Sequence, residues 1–199
     1  MAFTLATLKD APEILIGSGV RLERIQPRHA AAFCELYASS AQDMDFVKSA
    51  TGDWTLERAM ANCVNLDSLM THGGGLLCYL AFVGDTSTPL ATIDLHSFIL
   101  DIPCCQLGYV GNSHLTGRGL VSHAAQLAVL LAFALGIHRI EAWCDSRNTR
   151  SIRMAQRLGF QREGEFRHME RDSAGLLCNQ TVLSLLSTDP RPTLPPVVV

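Results

Sequence analysis

The sequence predicts an α/β (α+β) fold built on a mixed, mostly antiparallel central sheet of about seven strands, with helices on both faces. Three observations carry this. Between residues 76 and 111, three apolar runs follow one another with only short turn segments between them, as consecutive hairpin strands do. Between residues 105 and 145, a strand, a glycine-rich turn, a long apolar helix and a second strand form a right-handed crossover unit, which makes one strand pair parallel. The composition supports a packed core: 199 residues, 48% hydrophobic and 18% charged, which is not a disordered chain.

The elements follow in order. Residues 1–19 read as an N-terminal extension ending in Gly17-Ser18-Gly19, residues 20–187 as one domain, and residues 188–199 as a loose proline-rich tail. Val20–Ile25 alternates apolar and charged residues, the pattern of a half-buried strand. Pro27 suits a first helical turn, and Phe33, Cys34, Leu36 and Tyr37 recur near helical spacing after it. Thr55 caps a second helix from about Leu56 to Met70, and His72-Gly73-Gly74-Gly75 ends it. Leu76–Val83, Leu90–Leu100 and Cys105–Gly111 are the three hairpin strands. They are separated by Gly84–Ser87 and by Asp101-Ile102-Pro103.

A helix follows the stretch LTGRGLV (115–121) and stops near Gly136. His138–Asp145 is a strand. A short helix starts at Asn148 or Thr149 and ends at Leu158-Gly159. Glu163–Phe166 lies in a strand, Asp172–Gly175 is turn-like, and Cys178–Leu186 is the last strand.

Several function classes are disfavoured. A net charge of −3 lacks the basic bias of a nucleic-acid binder. The longest apolar run, within Leu127–Ile137, is about half the length that crosses a bilayer. The first residues lack a secretory pattern. The expectation is a cytoplasmic protein with no nucleic-acid or membrane partner. The seven cysteines include no CxxC, so neither a disulfide framework nor a zinc site is expected, and no metal is assigned.

The glycine turn has two readings. It can be a bare connection. It can also be a phosphate cradle, because glycines allow close backbone approach and the first N–H groups of a helix lack internal partners. It is neither a dinucleotide-binding fingerprint nor a P-loop. Asn148 and Ser151, three residues apart at a helix start, can be caps, or they can face the same crevice as the turn. Such a crevice is where α/β sheets commonly bind ligands.

In order, GYVGNSHLTGRGL, a helix, HRIEAWCDSRNTRS and RLGFQREGEFR resemble the GNAT superfamily of acetyl-coenzyme A-dependent N-acetyltransferases, and within it the Rim-type ribosomal-protein enzymes. The likeness covers about Arg21–Leu186. It implies a splayed parallel strand pair at a cofactor crevice and acetyl-CoA as co-substrate. The pyrophosphate would lie on Thr116, Gly117, Arg118, Gly119, Leu120 and Val121. The pantetheine arm would lie along Tyr109, Val110 and Gly111, with Asn148 as a hydrogen-bond partner.

The chain departs from the family pattern at Thr116, at Val121, where a small residue is usual, and at Gly111, where a larger one is common. Ala155 stands where many members carry a catalytic tyrosine. The Rim-type likeness instead implies Ser151 and Glu170 as catalytic groups, with a cysteine matched by Cys144. On this reading Glu170 takes the amine proton, Ser151 serves the leaving sulfur, and a backbone N–H near Val110 or Gly111 polarises the carbonyl.

Asp94 and His96, on the strand expected to line the acceptor cleft, are candidates for substrate contact. His114 is an exposed loop histidine or a base. Arg147, Arg150, Arg153 and Arg157 form a solvated helix face or bind the adenosine phosphate. Asp43–Trp54 is expected to be an acceptor-side loop. The acceptor is read as the N-terminal amine of a protein, with a small amine such as a polyamine, aminoglycoside or amino acid as the alternative. A CoA-binding module without catalysis is the reading from another class. The likeness also allows a homodimer.

Overall fold

The computed structural model describes residues 3–41, 45–46 and 52–194. One mixed sheet organises them, with strands β1 (Ile14–Gly17), β2 (Val20–Arg24), β3 (Leu77–Val83), β4 (Pro89–Ile99), β5 (Cys104–Gly111), β6 (Arg139–Asp145), β7 (Gln161–Arg171) and β8 (Leu177–Leu186). The order across the sheet is β1-β2-β3-β4-β5-β6-β8-β7. Only β5 and β6 pair in parallel; every other neighbouring pair is antiparallel. The sheet thus has eight strands rather than about seven.

The additional strand comes from the segment expected as an extension. Ser18 and Gly19 both take positive φ, which turns the chain tightly enough for Ile14–Gly17 to pair back onto Val20–Glu23. Glycine makes that turn cheap at position 19. The proline-rich tail also departs from expectation. Leu194 is buried, Pro192 lies against Gly159, and the Arg191 guanidinium sits 4.9 Å over the Phe133 ring. An irregular segment can dock this way because prolines bring apolar surface and few backbone donors needing partners.

Among the described residues four helices flank the sheet: α1 (Ala30–Ser40), α2 (Leu56–Thr71), α3 (Leu120–Ala134) and α4 (Thr149–Arg157). α1 and α2 pack on each other and against β4 and β3. α3 packs against β1, β2, β4 and β5, and α4 against β6 and β8. All of Leu77–Phe82 is buried, so residues pointing to both faces of β3 are covered, as helices on both sides require. Thr55 caps α2 by accepting from the Arg58 N–H, as its position predicts. Pro27 opens a 3-10 turn, Pro27–His29, and α1 begins just after it. No helix among the described residues is long and apolar enough to cross a membrane.

Candidate active site

The parallel pair supplies the site. β5 and β6 pair only at Cys104↔Arg139, Cys105↔Ile140 and Gln106↔Glu141. Beyond these residues each strand keeps its outer neighbour: β5 stays on β4 to Gly111, and β6 stays on β8 to Asp145. The two strands therefore part, and a cleft of about 290 Å³ opens between them. Gly108, Tyr109 and Val110 line one wall and Ala142, Trp143 and Cys144 the other. Asn148 and Ser151 close one end, and Asp94 and His96 reach in from β4.

The glycine turn follows β5 after the short 3-10 segment Ser113–Leu115. Gly117 and Gly119 have φ of +83° and +78°, and a Cβ on either would meet nothing within 4 Å. Glycine is needed there for its backbone conformation, not for lack of space. Gly119 is the N-cap of α3, so the first α3 amides and the positive end of its dipole face the turn. Thr116, Gly117, Arg118 and Gly119 are exposed, whereas Leu120 is buried and anchors the helix start. Thr116 is held locally, its hydroxyl donating to the Ser113 carbonyl at 3.0 Å. An exposed positive-φ backbone running into a helix N-terminus fits a pyrophosphate.

The two departures at Gly111 and Val121 explain each other. A Cβ at Gly111 would lie 3.1 Å from Val121 Cγ2. The valine methyl occupies the space a side chain at position 111 would take, so a small residue on β5 accompanies a larger one on α3.

Asn148 both caps a helix and lines the cleft, whereas Ser151 lines the cleft without capping. The Asn148 side chain caps α4 by accepting from the Ser151 N–H at 3.1 Å, and both residues line the cleft. The Ser151 hydroxyl is paired with the Tyr109 hydroxyl at 2.7 Å, and Tyr109 also donates to the Ser151 carbonyl at 3.1 Å. Burial pushes the Tyr109 phenol up to about 12. Cys144 also lines the cleft, but burial raises its thiol to about 11, so it is not a thiolate at neutral pH.

Asp94 has the most distinctive placement. It pairs in register with Gly108, and a Cβ on that glycine would lie 2.5 Å from Asp94 Oδ2 and 2.8 Å from Oδ1. The carboxylate can lie over β5 only because residue 108 has no side chain. His96 Nε2 is 3.5 Å from Asp94 Oδ2. Burial holds the Asp94 carboxyl above its usual range, with the charge of His96 opposing. Asp94 also lines a second cavity, of about 190 Å³, between α1, α2 and the β3–β4 hairpin. It therefore stands where the two cavities meet.

The structure does not bring the other expected groups together. Glu170 is exposed on β7, its Oε1 accepts from the Arg171 N–H at 3.0 Å, and it is not among the described residues lining either cavity. Between Phe166 and Glu170 the β7–β8 register shifts, and His168 there has a φ of +50°. Such a bulge re-aims the side chains beyond it. His114 is exposed, with its Nε2 3.1 Å from the Ser39 carbonyl. Arg147 is committed to Asp145 at 2.6 Å and Asp172 at 2.8 Å, while Arg150, Arg153 and Arg157 are exposed on α4. The expected acceptor loop Asp43–Trp54 lies mostly outside the described residues. Of its described part, Phe46 lines the cleft and Trp54 lines the second cavity.

Sequence reading missed that second cavity. Phe33 and Tyr37 register in the sequence only as core-spaced residues of a helix. Trp54 is brought to them by the chain's path, leaving no local spacing to read.

The parted parallel pair leaves a crevice of the kind that the GNAT resemblance implies for a cofactor. The chain belongs to the acetyltransferase (GNAT) domain family, which it matches over residues 20–161. It is 26% identical over 179 residues to an uncharacterized N-acetyltransferase p20 of Bacillus licheniformis, covering 89% of this chain and 98% of the relative. Among solved structures it resembles a ribosomal-protein-S5-alanine acetyltransferase of Vibrio fischeri, with a TM-score of 0.78, 18% identity, and 90% and 99% of the two chains covered. It also resembles RimL, a ribosomal L7/L12 alpha-N-protein acetyltransferase in complex with coenzyme A. Here the TM-score is 0.79, the identity 18%, and the coverage 87% and 98%. The protein is an acetyl-CoA-dependent N-acetyltransferase, with acetyl-CoA as its co-substrate.

Proposed function

We propose that the protein acetylates the N-terminal amine of a protein or peptide by direct attack within a ternary complex. The observation that carries this is Asp94, seated over Gly108 and shared by the cleft and the second cavity. An amine reaching the thioester from the second cavity passes this carboxylate. Only the unprotonated amine can attack. Asp94, with its carboxyl raised by burial and in contact with His96, is suited to take the proton, in the role the sequence suggests for Glu170. A base with a raised pKa is better matched to neutral pH than an ordinary carboxylate.

The balance is simple. A C–N bond forms, the C–S bond breaks, the amine proton goes to Asp94, and the sulfur receives one from the Ser151–Tyr109 hydroxyl pair. Backbone N–H groups near Val110 and Gly111 would polarise the thioester carbonyl. The thioester-bearing arm would lie along Tyr109–Gly111 beside Asn148, and the pyrophosphate on residues 116–121. The protein-acetylating names of the two similar ribosomal enzymes support the choice of acceptor.

The test is thiol release from acetyl-CoA with a panel of free N-terminal peptides and small amines, with the modified atom located by mass spectrometry. Acetylation of peptide α-amines is expected. Turnover confined to polyamines, aminoglycosides or free amino acids would replace this acceptor with a small amine.

A further inference from the structure

The second cavity has an aromatic and aliphatic wall that the transfer step itself does not use. Three rings wall it: Phe33 and Tyr37 are stacked with centroids 4.6 Å apart, and Trp54 lies 4.5 Å from Tyr37 and 5.5 Å from Phe33. Leu66 and Leu76 add aliphatic surface. Several polar groups on its lining are already engaged. The Tyr37 hydroxyl is bonded to Thr92 Oγ1 at 3.1 Å, and Asn62 Nδ2 donates to the Arg58 carbonyl at 2.9 Å. Asp94 is the one charged side chain among the described lining residues, and it faces the cleft as well. Trp54 is clamped from outside, with the Arg58 guanidinium 4.0 Å over its ring and Cys34 Sγ 3.6 Å from its carbonyl.

An apolar cavity of about 150 Å³ holds benzene, and this one measures about 190 Å³. An apolar ring or branched alkyl group fits it. Against the ring and leucine wall a hydroxyl or charged group would lose water without gaining a partner. The carboxylate at its inner end suits an amine attached close to that apolar group.

We infer that this cavity is the acceptor-selecting pocket, and that it takes an aryl or branched-alkyl group carried on the carbon bearing the amine or the carbon next to it. The inference rests on the acetyl-transfer reading and narrows it: the favoured acceptor presents a compact apolar residue first. The same chemistry could come from the first residue of a peptide or from a free arylalkylamine.

Calorimetry on the whole protein with coenzyme A bound tests this without turnover, using L-phenylalaninamide, phenethylamine and glycinamide as probes. The two aryl probes are expected to bind at least tenfold more tightly than glycinamide, in the range that apolar pockets achieve. Leu66→Trp, which fills the cavity, should remove that difference. The variant's acetyl-CoA affinity and melting temperature report whether it folded, and Leu66→Phe provides a milder filling.

Steady-state assays then compare pentapeptides beginning with Phe, Leu, Ser or Asp against phenethylamine. A preference for Phe- and Leu-first peptides over phenethylamine identifies a peptide acceptor, and the reverse identifies a free amine. Equal binding of the aryl probes and glycinamide would overturn the pocket assignment even if peptides are acetylated. Selective binding with no acetylation of any amine would instead overturn the acetyl-transfer reading and leave the pocket standing.

Discussion

The two cavities that meet at Asp94 are built from different materials. The cleft between β5 and β6 is largely a backbone device: two strands that part after Gln106 and Glu141, glycines at positive φ, and the open N-terminus of α3. The cavity beneath α1 and α2 is a side-chain device of three aromatic rings and two leucines around one carboxylate. A site made of backbone recognises what every carrier molecule has, a phosphate and an amide-rich arm. A site made of side chains recognises what distinguishes one acceptor from another. Divergence of acceptor specificity on a constant cofactor site requires changes only in the second.

The contrast can be tested where each material is most exposed to substitution. The largest effect is expected at the junction. Asp94→Asn should lower kcat/KM for acetyl transfer by about 100- to 10,000-fold, the usual contribution of a positioned base, while acetyl-CoA affinity changes little. The wild-type rate should rise with pH as the carboxyl, held above its usual range, loses its proton. The Asp94→Asn substitution should abolish that limb. A pH–rate profile that keeps its shape would move the base elsewhere, with Glu170 the first place to look.

The same substitution should act on stability in the opposite direction. Because burial raises the folded carboxyl above its unfolded value, the charged form costs stability at neutral pH. Asp94→Asn should therefore raise the melting temperature above the folded pKa. The gain should shrink as pH falls and vanish below about pH 4, the ordinary carboxylate value. Thermal melts across pH read this directly.

Next in size is the backbone device. Gly119→Val forces a β-branched residue into a positive-φ N-cap, a strain of about 1–3 kcal/mol. Acetyl-CoA should bind about 5- to 150-fold more weakly, with acceptor preference unchanged. Altered preference among acceptors would break the division of labour between the two cavities.

The smallest effect concerns the Gly111–Val121 pair. Gly111→Ala places a methyl 3.1 Å from Val121 Cγ2 and should cost about 1 kcal/mol through overpacking. Adding Val121→Ala should recover most of it. A coupling energy below about 0.5 kcal/mol in denaturant melts of the four-member cycle would show the two residues to be independent.

This division of materials also explains what could be read in advance. Backbone-built recognition depends on residues close together in the chain: a strand, a Gly-x-Gly turn, a helix start, and then Asn148 and Ser151 at the head of the next helix. Their order and spacing survive in one dimension, so the strand, the glycine turn, the α3 start and the cleft-lining Tyr109, Val110, Asn148 and Ser151 were legible. Asp94 and His96 were legible as alternating strand residues, but the reason for Asp94 was not. That reason is Gly108, on the neighbouring strand, and only the β4–β5 register places one over the other. Glu170 is exposed on β7 and is not among the described residues lining either cavity. Its role came from the family resemblance, and a match of sequence positions carries no information about the β7 register shift between Phe166 and Glu170.

The sequence by itself determined the layered α/β plan, the parallel crossover unit and the glycine turn at a helix N-terminus, and its resemblance to the GNAT superfamily implied the acetyl-CoA chemistry. Each depends on local conformational preference and short spacing, which the chain states directly. The tertiary structure alone decided that Ile14–Gly17 joins the sheet, that residues up to Leu194 pack back onto it, that Val121 fills the space over Gly111, and that Phe33, Tyr37 and Trp54 converge on Asp94. Those outcomes depend on pairing register and on side chains meeting from distant parts of the chain. Close packing selects such contacts only once the whole core has assembled.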